Sequence, residues 1–166
     1  MSPKEGWTPK GKAATDVVLR TFRANGLFLA AGDLLAAEEG LTAARWQVLG
    51  AVAVEGRPLT VPQIARRMGL TRQAVQASVN RLLGEGLVEG GENPDHRRSP
   101  LIRMTELGSR KYAAIQKRQA VWVNRLAAGL KRSELATTAR VLQELSNRLD
   151  NERLDNERTG DDHETP

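Results

Sequence analysis

Apolar residues recur every three or four positions along most of the chain, and this spacing predicts a mainly α-helical protein. The pattern indicates a first helix with Asp16 as its N-cap, a second helix that begins at Thr42, and a short third helix that follows Thr60. Thr60 and Gln63 have the spacing of a capping box. Next, the stretch GLTRQAVQASVNRL predicts a glycine-containing turn and a fourth helix capped by Thr71.

The fourth helix separates its apolar and polar residues onto opposite sides. Its predicted inward side consists of Val75, Val79, Leu82 and Leu83. The opposite flank carries Arg72, Gln73, Gln76, Ala77 and Asn80. A solvated helix face more usually alternates lysine with glutamate, so a flank of arginine and amides favours contact with a ligand.

Arginine and amide side chains on such a flank can read the edges of DNA bases. Arginine bonds guanine O6 and N7, glutamine and asparagine pair with adenine N6 and N7, and a small residue such as Ala77 permits close approach to a thymine methyl group. Thr71, the helix N-terminus and Arg81 are candidate phosphate contacts. A short helix, a glycine turn and this helix follow the order of a helix-turn-helix, whose second helix enters the major groove. The helix taken alone is equally compatible with a face that is only solvated.

A charged hairpin is predicted directly after this helix. Two β-prone runs, LVE and LIRM, flank the 11-residue loop GGENPDHRRSP. From its tip His96, Arg97 and Arg98 project as a basic wing, which can lie along phosphates or place an arginine in the minor groove. Pro100 removes a backbone donor just before the second strand, which indicates a short or edge-like strand.

Long helices on both sides of this region carry apolar stripes. A helix that begins at Thr105 is followed by a last helix with Ser133 as its predicted cap. The stripes consist of Val18, Phe22, Leu29, Leu135, Leu142, Leu145 and Leu149. Exposed stripes usually mark a partner surface, and a two-fold homodimer would place two reading helices roughly 34 Å apart, on an inverted-repeat operator. Alternatively, the stripes close a monomeric helical domain.

Two segments each admit two structures. Gly26 and Gly32 lie inside the first helix, where they allow either a close helix crossing or a bend. The tandem RLDNE repeat of residues 148–157 either prolongs the last helix or frays, and residues 159–166 are expected to be disordered.

The charge distribution points to a polyanionic partner. The net charge is +5, but residues 148–166 carry −4, which leaves +9 on the first 147 residues. A basic body favours nucleic acid first and an acidic membrane surface second. The predicted organisation is a flexible N-terminal tail (1–14), a winged helix-turn-helix DNA-binding domain (41–104), a helical dimerisation region on either side of it (15–40 and 105–150) and an acidic, frayed or disordered tail (151–166).

Residue types and motifs that the sequence lacks argue against an enzyme. Cysteine is absent, which excludes disulfides, thiolate metal sites and cysteine nucleophiles. The two histidines are His96 and His163, and no H-E-x-x-H, G-x-S-x-G or phosphate-loop motif occurs. Glu38 and Glu39 lie at a loop-like position without a basic or apolar setting that would tune their carboxylates. We therefore expect no catalysis, no cofactor and no metal site.

A membrane partner is not expected either. No run of about 18 apolar residues occurs, and the first residues lack the apolar stretch of a secretory signal. These features predict a soluble cytoplasmic protein.

Residues 41–108 resemble the multiple-antibiotic-resistance regulator (MarR) family of winged-helix transcription factors. The matching segments are LTAARWQVLGAV, LTVPQIARRMGLTRQAVQASVNRLLGEGLVE and NPDHRRSPLIRMTELG. The family usually reads D-P-x-D-R-R in the wing and L-T-x-x-G after it. Here Asn93 stands at the first aspartate, His96 replaces the second, and Met104 replaces the leucine. The second aspartate normally helps to brace the wing arginines, and the neighbouring Asp95 is the candidate replacement.

The resemblance implies a homodimeric DNA-binding regulator, by analogy a repressor, which a small-molecule effector can release from DNA. In the family such a ligand often binds between the dimerisation helices and the reading domain. Candidate lining residues are Trp46, Met68, Phe22, Phe28, Tyr112 and Trp122, although aromatic and methionine side chains at helical spacing are more often plain core. The absence of cysteine excludes the route by which one branch of the family senses peroxides.

Two other functions fit parts of the pattern. A structural DNA-coating protein would use the basic body but would not need base-reading amides. A winged-helix protein-interaction module would have no obvious reason to keep the Arg97–Arg98 pair.

Overall fold

The computed structural model describes residues 6–161, with side chains through residue 152. Its elements are α1 (Pro9–Ala37), α2 (Ala43–Glu55), α3 (Val61–Met68), α4 (Arg72–Gly84), β1 (Val88–Gly91), β2 (Leu101–Met104), α5 (Glu106–Leu126) and α6 (Arg132–Asp161). The predicted fold class, mainly α with a small β-hairpin in a winged helix-turn-helix core, is confirmed. The chain divides into two compact units, Met1–Val121 and Trp122–Pro166.

The start of α1 differs from the prediction. Oγ1 of Thr8 accepts a hydrogen bond from the N–H of Gly11 at 2.9 Å, and Pro9 occupies the first turn, where its missing N–H costs no helical hydrogen bond. Asp16 instead lies within the helix and pairs with Arg20 at 2.8 Å. The predicted flexible tail 1–14 is therefore wrong for residues 9–14, because the Thr-Pro capping signal outweighs the aspartate; residues 1–5 lie outside the described residues.

A close crossing joins α1 to the start of α2. A Cβ atom added at Gly32 would lie 2.9 Å from Cβ of Ala43, so the crossing needs glycine. Next to it, Oδ1 of Asp33 accepts from the N–H of Ala43 at 2.7 Å. Gly32 therefore serves a close crossing, whereas a Cβ added at Gly26 would meet no described atom within 4 Å.

Cations from α5 hold the end of α1. Nε of Arg118 donates to the Leu35 carbonyl at 3.1 Å, and its guanidinium pairs with Glu38 and Glu39, each at 3.0 Å. Lys111 donates to the carbonyl of Glu39. The prediction that the two glutamates lack a basic setting is wrong, since their partners lie far away in the sequence. The contacts place positive charge at a helix C-terminus, where it is stabilising.

The hydrophobic core lies where α2, α3 and α4 meet the hairpin. Its largest fully buried side chains are Val48, Leu49, Ile64, Val75, Val79, Leu82, Leu87, Ile102 and Ile115. The strands are antiparallel, with Val88 opposite Met104, and Leu59 pairs with the other side of Ile102. The strand after Pro100 is short, as predicted, but it is not an edge strand at Ile102.

The T-x-x-G sequence after β2 fastens α5 to the hairpin. Oγ1 of Thr105 donates to the Gly86 carbonyl at 2.7 Å and accepts from the N–H of Gly108 at 3.1 Å. A Cβ atom at Gly108 would lie 2.0 Å from the carbonyl oxygen of Leu87, a distance that no side chain can occupy. The first turn of α5 therefore lies directly against the backbone before β1.

The second unit contains the end of α5 and all of α6. The last helix begins at Arg132, one residue before the predicted cap Ser133, and its backbone continues to Asp161. Of the two alternatives, the RLDNE tandem therefore prolongs the helix, and the predicted fraying or disorder is wrong for residues 151–161. Leucine, arginine and glutamate are good helix formers, and residues 148–158 contain neither Gly nor Pro. Residues 162–166 lie outside the described residues.

Candidate nucleic-acid interface

A tight turn sets α4 against α3. The turn begins at Gly69, whose φ of 63° suits glycine, and the N–H of Leu70 donates to the Ala65 carbonyl at 3.0 Å. Oγ1 of Thr71 then caps α4 by accepting from the N–H of Ala74 at 3.2 Å. Three buried residues anchor the inner side of α4: Val75, Val79 and Leu82. Leu83, predicted on that side, is 39% exposed because it lies one position past the buried row.

All nine predicted DNA contacts lie on the surface. The exposed side chains are Thr71, Arg72, Gln73, Gln76, Ala77, Asn80, Arg81, Arg97 and Arg98. Six of them line one open groove between α4 and the wing: Arg72, Gln73, Gln76, Ala77, Asn80 and Arg98. We call this concavity the reading groove. Its remaining walls are Val61, Pro62, Ser99 and Pro100, which sequence reasoning did not select because only tertiary structure, including the pairing of Leu59 with Ile102, brings the hairpin beside α3.

Two of the predicted base-reading side chains are bonded to each other. Nε2 of Gln76 donates to Oδ1 of Asn80 at 2.8 Å. This bond uses one of the two amide hydrogens of Gln76, so its Oε1 and other N–H stay available for a base edge.

The arginines of this surface are not paired with acidic side chains in the part of the chain that the structure describes. Within the described residues, Arg72, Arg81, Arg97 and Arg98 form no ion pair. Several arginines at other places are paired, for example Arg103 with Glu89 across the hairpin at 2.9 Å, whereas others, such as Arg66, are not. Unpaired cations around a groove that exposes amides suit a polyanion with readable edges.

The tip of the wing is closed by Asn93. This residue is 8% exposed; its Nδ2 donates to the Ser99 carbonyl at 2.7 Å, and its Oδ1 accepts from the N–H of Asp95 at 3.2 Å. Asp95, the expected brace, contributes only its backbone, since its carboxylate has no ion pair or hydrogen bond among the described residues. The expectation that Asp95 braces the wing arginines is wrong, since within the described residues its carboxylate pairs with neither Arg97 nor Arg98. The asparagine before proline was the available signal in the sequence.

His96 lies beside a different concavity. The concavity is lined by Arg57, Pro58, Thr60, Pro62, Gln63, Arg66, Asn93, Pro94, Asp95, His96, Ser99 and Leu101. Of the basic triplet on the wing, only Arg98 lines the reading groove.

The predicted dimerisation residues differ in exposure. In the first unit, Phe22 is 70% exposed, Val18 is exposed and Leu29 is half-buried. In the second unit, Leu135 is exposed and Leu149 is 65% exposed, whereas Leu142 and Leu145 are half-buried.

The candidate effector-lining residues differ in exposure. Trp46, Met68 and Tyr112 pack against the hydrophobic core, which is the plainer of the two roles considered for them. Phe22 and Phe28 are exposed, and Trp122 belongs to the second unit. Neither concavity beside the wing is lined by any of these residues. Among the described residues, no cluster of three His, Asp or Glu side chains is placed to hold a metal ion.

A helix-turn-helix followed by a two-stranded hairpin defines a winged helix-turn-helix protein. The profile of the MarR family matches residues 39–99. An uncharacterized protein of Mycobacterium tuberculosis is 48% identical over 122 residues, which are 74% of this chain and 84% of that protein, and one from Mycobacterium bovis gives the same values. The chain belongs to the MarR family, whose members are transcription regulators.

Solved structures share the fold at low sequence identity. CouR from Rhodococcus jostii RHA1, bound to p-coumaroyl-CoA, has a TM-score of 0.71 at 24% identity, covering 80% of this chain and 93% of CouR. A MarR protein from Peptoclostridium difficile has a TM-score of 0.73 at 12% identity, covering 92% of this chain and 94% of that protein. None of the described helices is both long and apolar enough to cross a lipid bilayer.

Proposed function

We propose that this protein is a sequence-specific, DNA-binding transcription regulator of the cytoplasm that acts as a homodimer on an inverted-repeat operator. The observation that carries the proposal is the reading groove, in which the polar face of α4 and Arg98 of the wing line one concavity. A DNA duplex can contact α4 and the wing at once, with α4 in the major groove and the wing beside the phosphates or in the minor groove.

Each part of the surface has a distinct task in this proposal. Arg72 reads guanine and Gln76 reads adenine, with Gln73 and Asn80 as further base contacts and Ala77 as the point of close approach. The capping bond at Thr71 uses its oxygen as acceptor, which leaves the hydroxyl hydrogen to donate to a phosphate. Phosphate contacts from Arg81 and Arg97 would position the helix without adding sequence information.

A homodimer would double this surface and give the operator its symmetry. Phe22 and Leu149 each leave a large apolar side chain more than half exposed in the isolated chain. Covering such side chains with a second copy removes apolar area from water and contributes roughly 25 cal/mol per Å². Two copies related by a two-fold axis would contact half-sites about 34 Å apart.

A small molecule can regulate DNA binding if its affinity differs between two conformations of the dimer. An effector that binds one dimer conformation more tightly than the other changes the spacing of the reading helices and thereby the affinity for DNA. The binding of p-coumaroyl-CoA by the structural neighbour CouR supports a ligand of organic character. We propose repression as the mode of action, with release on effector binding.

The proposal is tested by comparing genomic promoter fragments with random fragments in gel-shift titrations across salt concentrations. A regulator binds a small subset of promoter fragments at least about a thousandfold more tightly than random DNA. Equal affinities would instead indicate the DNA-coating alternative. A protein partner that persists in a heparin-treated pull-down, with no DNA retained, would indicate the protein-interaction alternative.

A further inference from the structure

The wing tip, defined as residues 93–99, is closed on a buried amide. The side chain of Asn93 spans this tip: its Nδ2 donates to the Ser99 carbonyl at 2.7 Å, and its Oδ1 accepts from the N–H of Asp95 at 3.2 Å. Two backbone bonds complete the closure: the N–H of His96 donates to the Asn93 carbonyl at 3.3 Å, and the N–H of Ser99 donates to the His96 carbonyl at 2.9 Å. Asn93 therefore joins the two ends of an otherwise exposed loop.

We propose that Asn93 is a positioning residue that holds the wing tip closed and thereby directs Arg98 into the reading groove. The inference rests on the proposed DNA-binding function. Arg98 and Ser99 are adjacent, and both line the groove, so a bond to the Ser99 carbonyl restrains the backbone from which the Arg98 side chain extends. Restraint before binding reduces the entropy that an arginine contact loses on the duplex.

The chemistry of the closure requires an amide. An aspartate at residue 93 could still accept from the N–H of Asp95, but a carboxylate cannot donate to the Ser99 carbonyl. Two acceptor oxygens at the present 2.7 Å separation would repel each other and open the tip.

The test is a double-mutant cycle between Asn93 and Arg98, read out by binding of a fluorescent duplex that the wild-type protein has selected. Asn93→Ala keeps the net charge and removes both side-chain bonds, and we expect it to weaken binding roughly threefold to tenfold. In the Asn93→Ala variant, Arg98→Ala should weaken duplex binding by a much smaller factor than it does in the wild type, since Arg98 is no longer held in place.

A second experiment compares two variants with the same added charge, and it tests the proposal even if Asn93→Ala does not fold. Asn93→Asp and His96→Asp each place one extra carboxylate on the wing tip, but only the first removes a closing bond, since the bonds of His96 are made by its backbone. We expect Asn93→Asp to weaken binding more than His96→Asp does, and to accelerate amide exchange in residues 93–99. Active fractions from stoichiometric titration separate this effect from loss of folded protein.

Two results would overturn the proposal while leaving the proposed function intact. The first is that Arg98→Ala weakens duplex binding by the same factor in the wild type and in the Asn93→Ala variant. The second is that Asn93→Asp and His96→Asp bind the duplex with equal affinity. If Arg98→Ala has no effect even in the wild type, the assigned DNA contact fails and this inference fails with it.

Discussion

Gln76 donates a hydrogen bond from Nε2 to Oδ1 of Asn80 across one turn of α4, over 2.8 Å. The same pairing occurs in α6, where Nε2 of Gln143 donates to Oδ1 of Asn147 over 2.9 Å. On an isolated helix such an i, i+4 pair contributes about 0.2–0.5 kcal/mol. Only the pair on α4 lines the reading groove, where fixing the direction of the Gln76 amide also fixes which base edge it can read.

Removal of Asn80 should therefore change base preference more than overall affinity. In Asn80→Ala the Gln76 amide can rotate and no charge is altered, so binding to random DNA should stay the same. Discrimination at the base positions that face Gln76 and Asn80 should fall by roughly 1–3 kcal/mol. Asn147→Ala removes the equivalent bond outside the groove and is the matched control. Competition binding with single-base variants of the operator measures both, and equal profiles for the two substitutions would refute the assignment.

Substitution of Arg72 and substitution of Arg98 should weaken DNA binding in different ways. Arg72→Ala should cost about 1–3 kcal/mol at one base position and relax the preference there, because it removes a base contact. Arg98→Ala should weaken binding to all sequences and reduce the salt slope by about 1, because it removes a phosphate or groove contact. Gel-shift titrations across salt concentrations separate the two patterns. Unchanged operator binding in both variants would show that the contacts lie elsewhere.

Gly108→Ala should destabilise the whole first unit. The added methyl group would meet the carbonyl oxygen of Leu87 at 2.0 Å, and moving the α5 backbone away would break the bonds of Thr105. Overpacking of this kind costs about 1–3 kcal/mol or more. Gly84→Ala is the control: it is helical and meets no described atom within 4 Å, so it should be neutral or stabilising by up to about 1 kcal/mol. Urea unfolding followed by circular dichroism tests both; equal midpoints would contradict the close approach.

A charged residue in the α1 stripe should break the proposed homodimer. Phe22→Glu places a carboxylate where the partner subunit would cover an apolar side chain, and a buried unpaired charge costs several kcal/mol. Leu34→Glu is the control, since Leu34 is 80% exposed but lies on a different side of α1 from Val18 and Phe22. Light scattering after size-exclusion chromatography should show a monomer for the first variant and a dimer for the second. A wild-type monomer would remove the basis for the symmetric operator.

Features encoded in short stretches of sequence could be predicted well. Thr60 and Gln63 signal a helix start through a capping box that needs no tertiary contact, and both of its hydrogen bonds are present. The periodicity of α4 likewise identifies Val75 and Val79 as buried, because the inward and outward positions of a helix follow from its pitch.

Features that depend on long-range contacts could not be predicted. The pairing of Glu39 with Arg118 joins residues far apart in the chain, and no local pattern indicates it. The closure of the wing tip by Asn93 depends on which side chain points inward at a loop tip, and the turn geometry decides that. The reading groove has the same origin, since Arg98 and α4 line one concavity only in the folded chain.

The most direct test of the central claim is selection of bound fragments from a random DNA pool by the purified wild-type protein. If α4 and the wing read DNA as a two-fold pair, the enriched sequences will form an inverted repeat whose half-site centres lie about 10–10.5 base pairs apart. Each half-site should contain guanine and adenine at positions that Arg72 and Gln76 can reach. Recovery of fragments with no shared sequence, or of a single unrepeated site, would contradict the account.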